Sequence, residues 1–278
     1  QRYGSTRYAD GSTKTIKPEI PSSYGPVEFA GAFKPLDEAL DMLDKFYKWA
    51  GTIGAESNNS CGFHISASIP GHSVWENVDM LKFLLFLGDD KVISDFGREG
   101  ESYAKSTLAA TVAKLRSRKI DAAAALDLIK QGLNTVAAKI VKTEIMPKPY
   151  YLGGDRYISI NFKDNYIELR SPGNLYFDKK DTIVNTMLRI AQALAIASEP
   201  VEEKEYLKKI YKLLSVALPE QKDAVDLFYK YAQGQITRSE LKGQVKSYHA
   251  QKAAASQPTK WQKAYREKNP QNVNSGPP

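Results

Sequence analysis

Cysteine and histidine are nearly missing from this chain of 278 residues, which holds one Cys and three His. A single cysteine excludes an intrachain disulfide framework and a cysteine-rich metal site, and it suits a reducing compartment. Long hydrophobic runs are also missing. The stretch Leu81 to Leu87 is short and flanked by charge, far below the roughly 18 apolar residues that span a bilayer, so no membrane segment is predicted. There is no secretory leader pattern. No P-loop and no dinucleotide glycine fingerprint occur. Neither a nucleophile–base arrangement nor an internal repeat is evident, and Cys61 reads as a small packed residue.

What is present is enough for a folded body. Hydrophobic residues make up 42% and aromatics 10%, so the chain can bury a core, as one large domain or one domain with an appendage. The net charge of +7 leaves room for anionic ligands such as nucleotides. No basic stripe with interleaved aromatics accompanies it, so nucleic-acid binding is the weakest functional reading.

Residues 1 to 26 are polar and read as loops, with a tight turn at Ala9-Asp10-Gly11-Ser12. Val27-Glu28-Phe29-Ala30 reads as a short strand. Helical spacing follows over Leu36 to Ala50 and again from about Val74 to Gly88. Residues 89 to 105 read as a loop or the start of a helix, and Thr107 to Lys142 as two helices broken near Arg118-Lys119-Ile120-Asp121. Two alternating segments, Tyr157 to Phe162 and Tyr166 to Arg170, flank the polar turn Lys163-Asp164-Asn165 and predict a hairpin. Helices are predicted over Asp181 to Ala197, Glu202 to Leu218 and Lys222 to Gln233, with a short one at Thr237 to His249. Residues 251 to 278 have the composition of a disordered basic tail.

Chemistry concentrates in Cys61-Gly62-Phe63-His64-Ile65-Ser66-Ala67-Ser68. In a strand, His64 and Ser66 share one face while Phe63 and Ile65 line the other. A carboxylate in mid-strand is costly unless it meets water, a cation or a partner, which singles out Glu28 and Glu168. Two carboxylates and an imidazole make a plausible site for Mg²⁺ or Mn²⁺. Arg170 falls on the same face as Glu168, where a cation can hold a phosphate against a metal. Arg98 and Arg156 are further anion-binding candidates. For each of these residues the bland alternative stands beside the functional one: a strand residue facing solvent, or a surface ion pair.

Taken in order, these pieces resemble the phage- and plasmid-associated amidoligases, relatives of the glutamine synthetase and glutamate–cysteine ligase superfamily. The resemblance rests on Asp10-Gly11-Ser12, Gly25-Pro26-Val27-Glu28-Phe29, Asn59-Ser60-Cys61-Gly62-Phe63-His64, Arg98 with Ser102-Tyr103-Ala104, and Arg156-Tyr157 with Asn161 and Glu168-Leu169-Arg170. It implies an α+β fold, an antiparallel sheet of glutamine synthetase-like type backed by helices, with a helical C-terminal part. It implies a core over residues 1–177, a helical part of the same domain or appendage over 178–250, and the tail over 251–278. The implied activity is an ATP-dependent carboxylate–amine ligase, phage-encoded, with small-molecule or peptide carboxylate and amine substrates. Glu28, His64 and Glu168 would hold Mg²⁺ or Mn²⁺, Arg170 and Arg156 would stabilise the transferring phosphoryl group, and Ser66, Arg98 and Arg170 would contact ATP.

The pattern departs from the family in two places. The family opens on a strand with a Glu-x-Glu pair, which has no counterpart upstream of Asp10, so the first strand is expected to be missing from the core. Ser66 also stands where the family has a second histidine. These departures support the alternative of a non-catalytic ligase-like domain, structural or virion-associated, within a larger processed polypeptide. The location implied is the host cytoplasm or the virion, and the partners are homo-oligomeric copies or virion components.

Overall fold

A computed structural model of the chain describes residues 4–7, 13–16, 27–57, 61–100, 105–117, 158–173, 176–237, 239–244, 246–247 and 250. The chain divides into two compact units, Gln1–Thr111 with Ala138–Glu202, and Val112–Ala137 with Glu203–Pro278. Both α-helices and small antiparallel sheets are present, with helix predominant among the described residues.

The first unit opens on strands β1 (Gly4–Arg7), β2 (Thr13–Ile16) and β3 (Val27–Ala30), which form an antiparallel sheet in that order. Gly4 pairs with Ile16, Arg7 with Thr13, and Thr15 with Glu28. This corrects the reading of residues 1 to 26 as loops. Strands of four residues are too short to show an alternation, and only the β-branched Thr13, Thr15 and Ile16 hint at one. A strand therefore precedes Asp10-Gly11-Ser12, with the sequence Gly4-Ser5-Thr6-Arg7 and no Glu-x-Glu pair. The turn itself lies outside the described residues.

Helix α1 (Leu36–Thr52) starts with Asp37 and Glu38 in its first turn, where the helix dipole favours negative charge. After β4 (Phe63–Ala67) come α2 (Val74–Asn77) and α3 (Met80–Leu87). The single helix expected over Val74 to Gly88 is thus split. Asp79 takes an extended conformation and accepts from the Lys82 N–H, restarting the helix with a side-chain cap. Gly88, at φ 69°, closes α3 and leads into α4 (Asp89–Asp95), so the segment after residue 88 is helical. Helix α5 (Thr107–Ser117) begins in the first unit and ends in the second.

Strands β5 (Ile160–Phe162) and β6 (Ile167–Gly173) form the expected hairpin, and β4 pairs with the far side of β6, giving the order β4-β6-β5. Ile160, Phe162, Ile167 and Leu169 are buried, as are Leu81, Phe83, Leu84 and Leu87 of α3. The Phe83 ring meets Phe162 edge-on, 5.7 Å between centroids. Helix α6 (Lys180–Ser198) packs on α3 through Ile183, Ile190, Ala193, Leu194 and Ala197. A boundary at residue 177 therefore falls inside the first unit, because the apolar stripe of α6 belongs to the same core as the strands. Buried Lys82 donates to the carbonyls of Glu199 and Val201 at 2.8 and 2.6 Å, satisfying backbone groups of the segment that follows α6.

The second unit contains α7 (Glu203–Ala217) and α8 (Lys222–Ala232), packed through Tyr206, Ile210, Leu213 and Leu214 on one side and Ala224, Val225 and Phe228 on the other. Tyr211 stacks on Tyr229, 4.4 Å between centroids, and donates to Asp226. The expected tail over 251–278 lies outside the described residues. No helix among the described residues is long and apolar enough to cross a membrane.

Candidate functional site

Glu168 stands in the central strand of the second sheet, with Ser66 opposite it on β4 and Asn161 opposite it on β5. Directly opposed residues share a face. That face lies away from Ile167 and Leu169, which are buried. His64, two residues before Ser66, and Arg170, two after Glu168, join it.

One carboxylate organises the cluster. Glu168 Oε2 accepts from Arg170 Nη2 at 2.9 Å, Arg170 Nε at 3.1 Å and Asn161 Nδ2 at 3.3 Å. Its other oxygen, Oε1, lies 3.5 Å from His64 Nδ1. The side chain of Glu168 is 16% exposed, that of Arg170 21% and that of His64 49%, so the imidazole forms the open side of the cluster. Burial pushes the Glu168 carboxyl up. The hydrogen bond from His64 and the Arg170 guanidinium outweigh it and hold the group at about 2. An ionised carboxylate only accepts, so the arrangement favours a proton on Nδ1 of His64 and leaves Nε2 as the ring nitrogen away from Glu168.

The strand pairing explains the placing of Arg170. Phe63 pairs with Gly173 while Ile65 pairs with Leu169, so β6 bulges over Arg170, Ser171 and Pro172 opposite His64. A bulge leaves ladder groups without their strand partners and re-aims side chains. Arg98 meets that need. It is nearly buried and donates from Nη1 to the carbonyls of Arg170 at 3.1 Å and Ser171 at 3.4 Å. Gly173 sits at φ 63°, and a Cβ there would come within 2.4 Å of the Arg98 guanidinium. Glycine is therefore required twice over, by backbone conformation and by the closeness of Arg98.

A second polar cluster lies beneath the sheet, unmarked by any sequence motif. Asp89, fully buried, accepts from Ser159 Oγ at 2.6 Å, Ser106 Oγ at 3.1 Å and the Leu108 N–H at 3.1 Å. Burial pushes its carboxyl up, against the hydrogen bonds that favour ionisation.

The sequence-derived residues are thus dispersed. His64, Ser66, Glu168 and Arg170 come together on one sheet face. Arg98 lies under the bulge, buried and bound to backbone carbonyls, and is not the solvated surface arginine of the bland alternative. Glu28 lies on β3 in the other sheet; its side chain and the whole of Arg156 are outside the described residues. With Oε2 filled by three donors, Glu168 offers Oε1 beside the His64 imidazole, and no group of three or more His, Cys, Asp or Glu side chains suited to a metal occurs among the described residues. Two donors fall short of the shell a hard divalent ion requires. The described residues alone do not fit Mg²⁺ or Mn²⁺.

No protein-family model matches the chain, and neither a curated protein nor a solved structure matches it.

Proposed function

We propose that the first unit is a ligase-type domain of the glutamine synthetase-like class, acting as an ATP-dependent carboxylate–amine ligase. The observation that carries this is the convergence of His64, Glu168 and Arg170, drawn from separate motifs, on one face of an antiparallel sheet. Arg170, steered by Glu168, provides fixed positive charge where a transferred phosphoryl group develops negative charge. His64, turned by the same carboxylate, presents Nε2 to the bound ligand. Mg²⁺ or Mn²⁺ enters this reading through the family resemblance alone, as do Glu28 and Arg156.

Calorimetry of the full chain with ATP and Mg²⁺ tests it. Saturable binding is expected, weakened at least tenfold in Arg170→Ala and lost along with metal-dependent turnover in Glu168→Gln. Failure of the unmodified chain to bind ATP at millimolar concentration overturns the proposal.

A specific observation favours a second reading, a non-catalytic ligase-like domain with a structural or virion-associated role. Glu168 accepts from Asn161 and Arg170, and Arg98 donates to the carbonyls of Arg170 and Ser171, so both engage the chain's own groups, as expected where such residues hold a sheet together. Stoichiometric co-purification with particles, without nucleotide affinity, supports that reading over the first.

A further inference from the structure

We infer that Asp89 is a positioning residue for Arg170, acting through Ser159. The path begins at the buried Asp89 carboxyl, whose Oδ1 receives Ser159 Oγ at 2.6 Å. The same Ser159 oxygen accepts the Thr107 N–H at 3.1 Å, at the first turn of α5. Ser159 N–H donates to the Lys105 carbonyl at 2.8 Å, and the Ser159 carbonyl receives the Arg170 N–H at 2.8 Å. Every polar group of Ser159 is therefore engaged, and none has the freedom to drift. On the far side of the Arg170 residue, Arg98 holds its carbonyl. Both peptide groups flanking the Arg170 Cα are held, which fixes the point and direction from which the side chain sets out toward Glu168.

A carboxylate buried this deeply is costly, and replacing it with an apolar residue would spare that cost if its only role were to fill space. Asp89 instead ties three segments, the start of α4, the start of α5 and the residue that leads into β5 and meets the Arg170 N–H. A helix cap for α5 needs only the bond to Leu108 N–H; the bond to Ser159 is what reaches the sheet face.

The inference rests on reading Arg170 as a functional group. Its test needs no ligand, so the two can fail independently. Amide and Nε–H exchange of Arg170, followed by ¹⁵N NMR, reports the clamp directly. In Asp89→Asn, Arg170 is expected to exchange at least tenfold faster while the other β6 amides keep their protection. Should that variant not fold, a pair of serine variants decides the matter. Ser159→Ala breaks the path and should loosen Arg170 selectively. Ser106→Ala removes a bond to the same carboxyl off the path and should not. If neither serine variant changes Arg170 exchange, if both change it equally, or if protection falls evenly along β6, Asp89 is a helix cap and the inference is wrong.

Discussion

Arg170 donates through Nε and Nη2 to a single oxygen of Glu168, at 3.1 and 2.9 Å. The pairing is side-on, and it leaves the second carboxylate oxygen to His64 at 3.5 Å. One acidic side chain thereby orders a guanidinium on its own strand and an imidazole on the neighbouring one. This has a measurable consequence for acid stability.

Glu168 is held at about 2 in the folded chain against an ordinary value of 4.5. A depressed carboxylate stabilises the fold fully above its unfolded value, and the contribution fades as pH falls from 4.5 toward 2. Allowing for solvent screening of a partly exposed pair, the loss is about 1–2 kcal/mol. Urea unfolding at pH 5 and pH 2.5 should show this extra decline in the unmodified chain, and Glu168→Gln should flatten that part of the pH dependence. Equal slopes for both chains would remove the assigned pairing.

Gly173→Ala forces a Cβ into the left-handed region and against the Arg98 guanidinium. Destabilisation of about 1–3 kcal/mol is expected. A double-mutant cycle with Arg98→Ala should recover part of it, since the second change removes the obstruction. Strict additivity in chemical denaturation would place Arg98 elsewhere.

Lys82→Met keeps most of the apolar stem but drops the donor to the Glu199 and Val201 carbonyls. Leaving those carbonyls unmet should cost about 1–3 kcal/mol. The loss should appear as faster hydrogen exchange at the C-terminal turn of α6 and as a lower Tm.

Leu84→Ala opens a cavity in the core between α3 and its neighbours and should cost about 2–5 kcal/mol. Leu188→Ala, at a position 45% exposed, should stay within about 0.5 kcal/mol. Similar melting points for the two variants would contradict the assigned burial.

The parts legible in the sequence are those whose stabilising contacts are periodic and local. The stripe through Ile183, Ile190 and Leu194 announces α6, and the alternating runs on either side of Lys163-Asp164-Asn165 announce β5 and β6. His64, Glu168 and Arg170 were visible because polar residues stand out against the apolar face of a strand. Two features resisted the same reading. Ser171-Pro172-Gly173 looks like the end of a strand, yet β6 runs through it as a bulge. Asp89 looks like a polar residue after a glycine, yet it is buried and bound by two serine hydroxyls and a backbone N–H.

The sequence by itself determined which residues favour helix, which favour strand, and which polar groups share a strand face, because those follow from spacing along one segment. Tertiary structure alone decided that Arg98 would hold the carbonyl of Arg170, 72 residues away, and that Asp89 would reach Ser159, 70 residues away. Hydrogen bonds of that kind depend on how β4 and β6 pair and where the bulge falls. A buried polar group takes whichever partner the finished packing brings within 3 Å or so, and no local pattern encodes that choice.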